Sequence, residues 1–254
     1  MKEKKGNFWI WGLHSVLSAV ERRPEIISEI QFIDAEISDA TRRRMDALLG
    51  NKHFQIQSVA SLPRALDEHR CQGVAANIKY FPMFNESDLQ NAFHNPEKIN
   101  QWILLDGIED PRNFGAILRS AAAFGVSGVI VGEKFQAPVN GVVSQASAGT
   151  CFSTPIYEIT STLKLPDLLN GPEVVLVGLD RAGRDVAQSI SDLKSRHPKA
   201  QVIWVLGAEG KGIHSRLKQR VPNFVSIPMT NGVESLNASV AAGIVLYLGQ
   251  GLTA

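Results

Sequence analysis

At 254 residues, 44% of them apolar, the chain is long enough to bury a sizeable core in one or two domains. A net charge of +1 excludes binding to nucleic acid by bulk positive charge, so any such contact needs a local basic cluster. Cys71 and Cys151 stand alone and far apart, and none of the six histidines has metal-ligand spacing; neither a disulfide framework nor a metal site is expected.

The first seven residues, with Lys2, Lys4 and Lys5, read as a disordered basic start with no apolar signal core behind it. A helix pattern follows over His14–Glu21 and stops at Arg23-Pro24. Glu29–Ile33 alternates like a strand. Ser38 is placed to cap a helix over Asp39–Leu49, closed by Gly50-Asn51. Within that helix Arg42, Arg43 and Arg44 form either a solvated face or an RNA contact. Gln55–Val59 reads as a strand, Leu62–His69 as a short helix and Gly73–Ile78 as a strand. These elements make a small α/β unit over residues 1–80. Residues 81–98 carry Pro82, Asn85, Asn91, Asn95 and Pro96, and read as a linker with one helical turn inside.

Residues 99–254 alternate more strongly. Buried-type strands are expected at Trp102–Leu105, Gly128–Val131, Val174–Gly178, Val202–Leu206 and Phe224–Ile227. Helices are expected at Asn113–Phe124, Thr162–Leu169, His214–Arg220 and Leu236–Leu248. Continuous apolar strands separated by helices imply an α/β fold with a mostly parallel sheet covered on both faces. The longest apolar stretch, near the C terminus, contains Gly243 and Gly249. It falls short of the roughly 20 residues that a membrane span needs, and a cytoplasmic protein is expected.

Three segments carry more polarity than packing requires. Asp106-Gly-Ile-Glu-Asp-Pro-Arg-Asn113 joins a strand to a helix that bears Arg119. Asn113 is either the cap of that helix or a site residue; Arg119 either faces solvent or holds a ligand phosphate. Leu206-Gly-Ala-Glu-Gly-Lys-Gly212 follows a strand with glycines that let backbone amides approach a ligand, or that simply make a turn. It has neither the dinucleotide-binding spacing nor a Ser or Thr after Lys211. Ile227-Pro-Met-Thr-Asn-Gly-Val-Glu-Ser-Leu-Asn-Ala-Ser-Val-Ala-Ala242 ends a strand and opens a helix of small residues, through which a backbone or a flat ligand can come close.

In order, residue type and approximate spacing, these three segments resemble the motifs of the SpoU (TrmH) family of RNA ribose methyltransferases, over roughly residues 100–254. Trp11-Gly-Leu-His-Ser-Val16 is similar to the start of the small substrate-binding domain found in the branch acting on guanosine of bacterial 23S ribosomal RNA. Ala146-Ser-Ala-Gly-Thr150 resembles a further family stretch with local differences, and Ala238 stands where valine is common. The resemblance implies S-adenosylmethionine as methyl donor, a ribose 2′-hydroxyl of RNA as acceptor, a trefoil-knotted (SPOUT) catalytic domain and a homodimer. It places Gly207, Ile227 and Leu236 at the cofactor and Arg119, Asn113, Glu209, Ser235 and Asn237 at the polar active-site positions. On chemical grounds Glu209 at such a position either orients Arg119 or accepts a hydrogen bond from the nucleotide. Two other functions stay open on the residues: a tRNA ribose methyltransferase, and a non-catalytic RNA-binding or ribosome-assembly protein.

Overall fold

The computed structural model describes residues 2–49, 54–63, 66, 71–93, 100–171, 173–197 and 199–253. Its N-terminal part holds β1 (Lys2–Trp11), α1 (Leu13–Arg22), β2 (Ile27–Phe32), α2 (Asp39–Leu49), β3 (Gln55–Ser58) and β4 (Val74–Met83). The four strands form one sheet in the order β1-β4-β2-β3, with β2 and β3 parallel and the other pairs antiparallel. The start of the chain is therefore a strand and not a disordered tail: Lys2 pairs with Met83 and Lys5 with Tyr80. The ten-residue β4 offers a partner along its whole length, and lysines suit an edge strand because they discourage further pairing. The helix expected over Leu62–His69 and the closing turn at Gly50-Asn51 lie largely outside the described residues.

Phe84 leaves β4 and joins the second sheet, where its N–H donates to the Ile156 carbonyl at 2.9 Å and its own carbonyl accepts from the Glu158 N–H at 2.8 Å. Helix α3 (Glu86–Ala92) follows inside the expected linker. Asn85 and Asp88 start it with reciprocal side-chain-to-backbone bonds of 3.0 and 2.9 Å, a capping box.

The second sheet contains β5 (Asn100–Asp106), β6 (Gly128–Gly132), β7 (Ile156–Ile159), β8 (Val174–Asp185), β9 (Gln201–Gly207) and β10 (Asn223–Ser226). Its order is β10-β8-β9-β5-β6-β7 and every neighbouring pair is parallel. Strand residues alternate between two apolar layers. Ile103, Leu105, Val202 and Trp204 pack on one side with residues of α4 (Pro111–Ala123), α7 (Val186–Arg196) and α9 (Ala238–Thr253). Trp102, Leu104, Ile203 and Val205 pack on the other with Leu165 of α6 (Leu165–Leu168) and Leu217 of α8 (Ser215–Lys218). A parallel sheet covered on both faces accounts for the unbroken apolar runs in the sequence.

The first layer continues into the core of the N-terminal sheet through Ile10, Val16 and Leu17. Contact is close at α5 (Gly141–Ala146): a methyl at Gly141 would fall 2.0 Å from the Trp11 ring. One at Gly149 would fall 2.6 Å from Ser18 Cβ, and the Ser18 hydroxyl donates to the Gly149 carbonyl at 2.8 Å. Ala146–Thr150 thus serves as a seat for α1.

Candidate active site

The loops after β5 and β9 leave the sheet in opposite directions. Phe114 and Ile117 of α4 enter one layer, whereas Leu217 of α8 enters the other. Between adjacent parallel strands such divergence opens a crevice at the carboxyl ends, the usual ligand site of an open α/β sheet. Asn113 and Glu209 stand on the two sides of it.

Helix α4 is capped by Asp110, whose carboxylate accepts the Arg112 N–H at 2.8 Å, with Pro111 at the first turn. Asn113 is therefore not the cap. It is buried, and its amide nitrogen donates to Glu209 Oε1 at 2.5 Å. Asn237, just ahead of α9, donates to the same oxygen at 2.8 Å and to Asn113 Oδ1 at 3.0 Å. Asn237 Oδ1 in turn accepts from the Ser239 N–H at 2.9 Å and the Ser239 hydroxyl at 2.6 Å. One residue from each of the three polar segments meets in a closed triangle of hydrogen bonds.

The triangle borders a cleft of about 470 Å3 whose walls include Leu206–Gly212, Ser235, Leu236, Ala238 and Ala241. A smaller recess of about 130 Å3 shares Ser235 and Leu236 and adds Ile227 and Met229. Gly207, Ile227 and Leu236 thus line one continuous depression, with Glu209 and Ser235 on its wall. Gly207 has a steric reason to be glycine, since an added methyl would lie 2.0 Å from the Gly212 carbonyl carbon. The loop folds back on itself there, and the Gly212 N–H donates to the Ala208 carbonyl at 2.8 Å.

Arg119 lies apart. Six residues beyond Asn113, it projects about 120° around the helix and roughly 9 Å along it. It is exposed and makes no hydrogen bond or ion pair to a described residue. The expected Glu209–Arg119 pairing is absent among the described residues; the carboxylate is taken up by the two asparagines. Glu209 does not orient Arg119 within one chain because the helix turns the guanidinium away from the cleft.

Sequence reasoning missed Asp180 and Arg181. After Gly178, β8 leaves its register with β10 and rejoins it at Arg184, and the intervening bulge reaches the cleft. Arg181 pairs with Glu234 at 3.7 Å. Asp180 pairs with Lys218, whose hydrogen bond holds the carboxyl below its usual range. The polar run Asp180-Arg-Ala-Gly183 after an apolar strand is the same signal that marked the other loops. Cys151 is buried and its thiol is pushed up to about 12 by desolvation, so it offers no nucleophile. His214 caps α8 through Nδ1, which accepts the Arg216 N–H at 3.3 Å.

The family model described as the SpoU rRNA Methylase family matches residues 100–247. A protein of Xanthomonas campestris named 23S rRNA (guanosine-2'-O-)-methyltransferase RlmB is 32% identical over 247 residues, covering 96% of each chain. Its namesake from Vibrio parahaemolyticus is 30% identical over 95% of each. Among solved structures, the SpoU methyltransferase AviRb from Streptomyces viridochromogenes, in complex with the cofactor AdoMet, is 25% identical with a TM-score of 0.75, covering 96% of this chain and 90% of its own. The chain belongs to the SpoU rRNA methylase family.

Proposed function

We propose that the protein transfers a methyl group from S-adenosylmethionine to the 2′-hydroxyl of a guanosine in 23S ribosomal RNA. The observation that carries this reading is the Asn113–Glu209–Asn237 triangle beside a cleft lined by Gly207, Ile227 and Leu236. The cleft suits the cosubstrate: its volume lies in the range of small-molecule sites, Leu206 and Leu236 offer apolar walls to a flat heterocycle, and the glycine loop leaves its backbone open. When bound, the sulfonium supplies an electrophilic methyl.

The chain's own residues have three tasks. Asn113, Ser235 and Asn237 position the ribose, with Glu209 fixing the asparagine amides. Arg119 holds an RNA phosphate and stabilises the alkoxide as it develops. A guanidinium with a pKa above about 12 is a poor base, so the proton leaves through phosphate or water. Because Arg119 points away from the cleft of its own chain, it serves a second copy, in a homodimer packed through α4 and α9. Val240 and Tyr247 are exposed on α9, and Tyr247 meets Phe124 at the end of α4 with centroids 5.8 Å apart. Residues 1–80 act as the RNA-binding domain, 81–98 as the linker and 99–254 as the catalytic domain, whose loops Gly207–Gly212 and Ile227–Leu236 form a trefoil knot. No helix among the described residues is long and apolar enough to cross a membrane, in keeping with work on ribosomal RNA in the cytoplasm.

Methyl incorporation into 23S ribosomal RNA and tRNA transcripts tests the substrate, and calorimetry with S-adenosylmethionine tests the cofactor. Arg119→Ala is expected to keep cofactor affinity and to lower methylation about a hundredfold or more. Unchanged turnover would remove Arg119 from the mechanism, and incorporation into tRNA alone would overturn the substrate.

A further inference from the structure

A second and larger cavity, about 890 Å3, adjoins the cleft at the carboxyl ends of β5, β6 and β9. It shares Gly107 and Lys211 with the pocket that holds Asn113 and Glu209, so its contents would lie next to the reacting ribose. Phe135 stands on its rim and is 75% exposed. An exposed aromatic alone says little. Here the backbone is also held at φ 60°, in the left-handed region that a bulky residue seldom adopts. The loop is tied on both sides: the Glu133 N–H donates to the Ile159 carbonyl at 3.0 Å, and the Ala137 N–H to the Ile108 carbonyl at 2.9 Å. The ring is thus presented to water from an anchored, strained turn, an arrangement that recurs at functional sites.

The charges around it fit a nucleotide. Lys134 and Lys211 line the cavity and make no ion pair among the described residues, while Lys218 is engaged by Asp180. Asp106 does not oppose them freely, because its carboxylate accepts from the Thr162 hydroxyl at 2.7 Å and from the His214 N–H at 2.8 Å. Glu109 also lines the cavity and can accept from the donor edge of a base. Resting on the methyltransferase reading above, we infer that this cavity holds an unpaired nucleotide flanking the methylated one, its base stacked on Phe135 and its phosphate between Lys134 and Lys211. Stacking on an aromatic ring is the common means of gripping single-stranded RNA.

The test uses the full chain, S-adenosylmethionine and 23S ribosomal RNA transcript. Phe135→Leu is expected to raise KM for RNA about tenfold, with the loss confined to KM and cofactor affinity retained, and Phe135→Trp to restore KM. A single-stranded RNA carrying one 2-aminopurine should be quenched by the wild-type protein and not by Phe135→Leu. A KM within twofold of wild type, retained quenching, or an equal fall in cofactor affinity overturns the subsite alone. Failure of the wild-type protein to methylate any RNA overturns the underlying reading of function as well.

Discussion

Glu209 Oε1 accepts two amide donors, from Asn113 at 2.5 Å and from Asn237 at 2.8 Å, although the residue itself is exposed. Hydrogen bonds to an ionised group stabilise by about 1.5–3 kcal/mol, against about 0.5–1.5 for neutral pairs. Glu209→Gln keeps an acceptor but removes the charge, so both asparagines lose part of their orientation. The expected result is a five- to thirtyfold fall in single-turnover methyl transfer, the equivalent of about 1–2 kcal/mol, with cofactor affinity unchanged. Wild-type turnover in this variant would show that the carboxylate's charge plays no part in the site. The polarity of its segment left Asn113 as either a helix cap or a site residue, and did not show it as buried. Pro111 and Asp110 move the helix start two residues back and turn Asn113 from an exposed cap into the floor of a crevice.

The glycine loop after β9 separates two meanings of the same residue type. A methyl at Gly207 collides with backbone of its own loop, which has no room to yield. At Gly212 an added methyl meets nothing within 4 Å, and the only obstacle is φ 66°. Gly207→Ala is therefore expected to abolish cofactor binding by calorimetry. Gly212→Ala should bind nearly as well while losing about 1 kcal/mol of stability in thermal unfolding. Equal behaviour of the two would mean that the fold-back is not what shapes the cleft. Elements buried on both faces were the most legible: Trp102–Leu105 and Val202–Leu206 read as strands because no position in them must face water. Helix α7 was not, since Val186-Ala-Gln-Ser-Ile-Ser-Asp has few apolar positions, and its cap, Asp185 accepting the Gln188 N–H at 3.1 Å, ends a strand. Strand β7, with Tyr157 and Glu158, is too short at four residues to show a period. The paired start of β1 depends on a partner strand more than 60 residues away in sequence, which no local pattern reveals.

Across the whole molecule, the role proposed for Arg119 calls for a second chain. The triangle and the cleft lie on one side of α4, and Arg119 on another. An apolar stripe through Val240 and Tyr247 runs along the last helix, with Tyr247 61% exposed. A face of this kind, next to the stranded arginine, suits a self-complementary interface between two copies. Two lysines, Val240→Lys with Tyr247→Lys, add charge to that face without entering the core of α9, whose inward side is formed by Ala242, Val245 and Leu246. The double variant is expected to sediment as a folded monomer and to lose methyl transfer about as far as Arg119→Ala does, since each cleft is then deprived of its guanidinium. Mixing an excess of Arg119→Ala chains with a variant disabled at Glu209 tests the same geometry in the opposite sense. A heterodimer that pairs an intact cleft with a foreign, intact Arg119 regains activity, whereas an arginine acting within its own chain gives none.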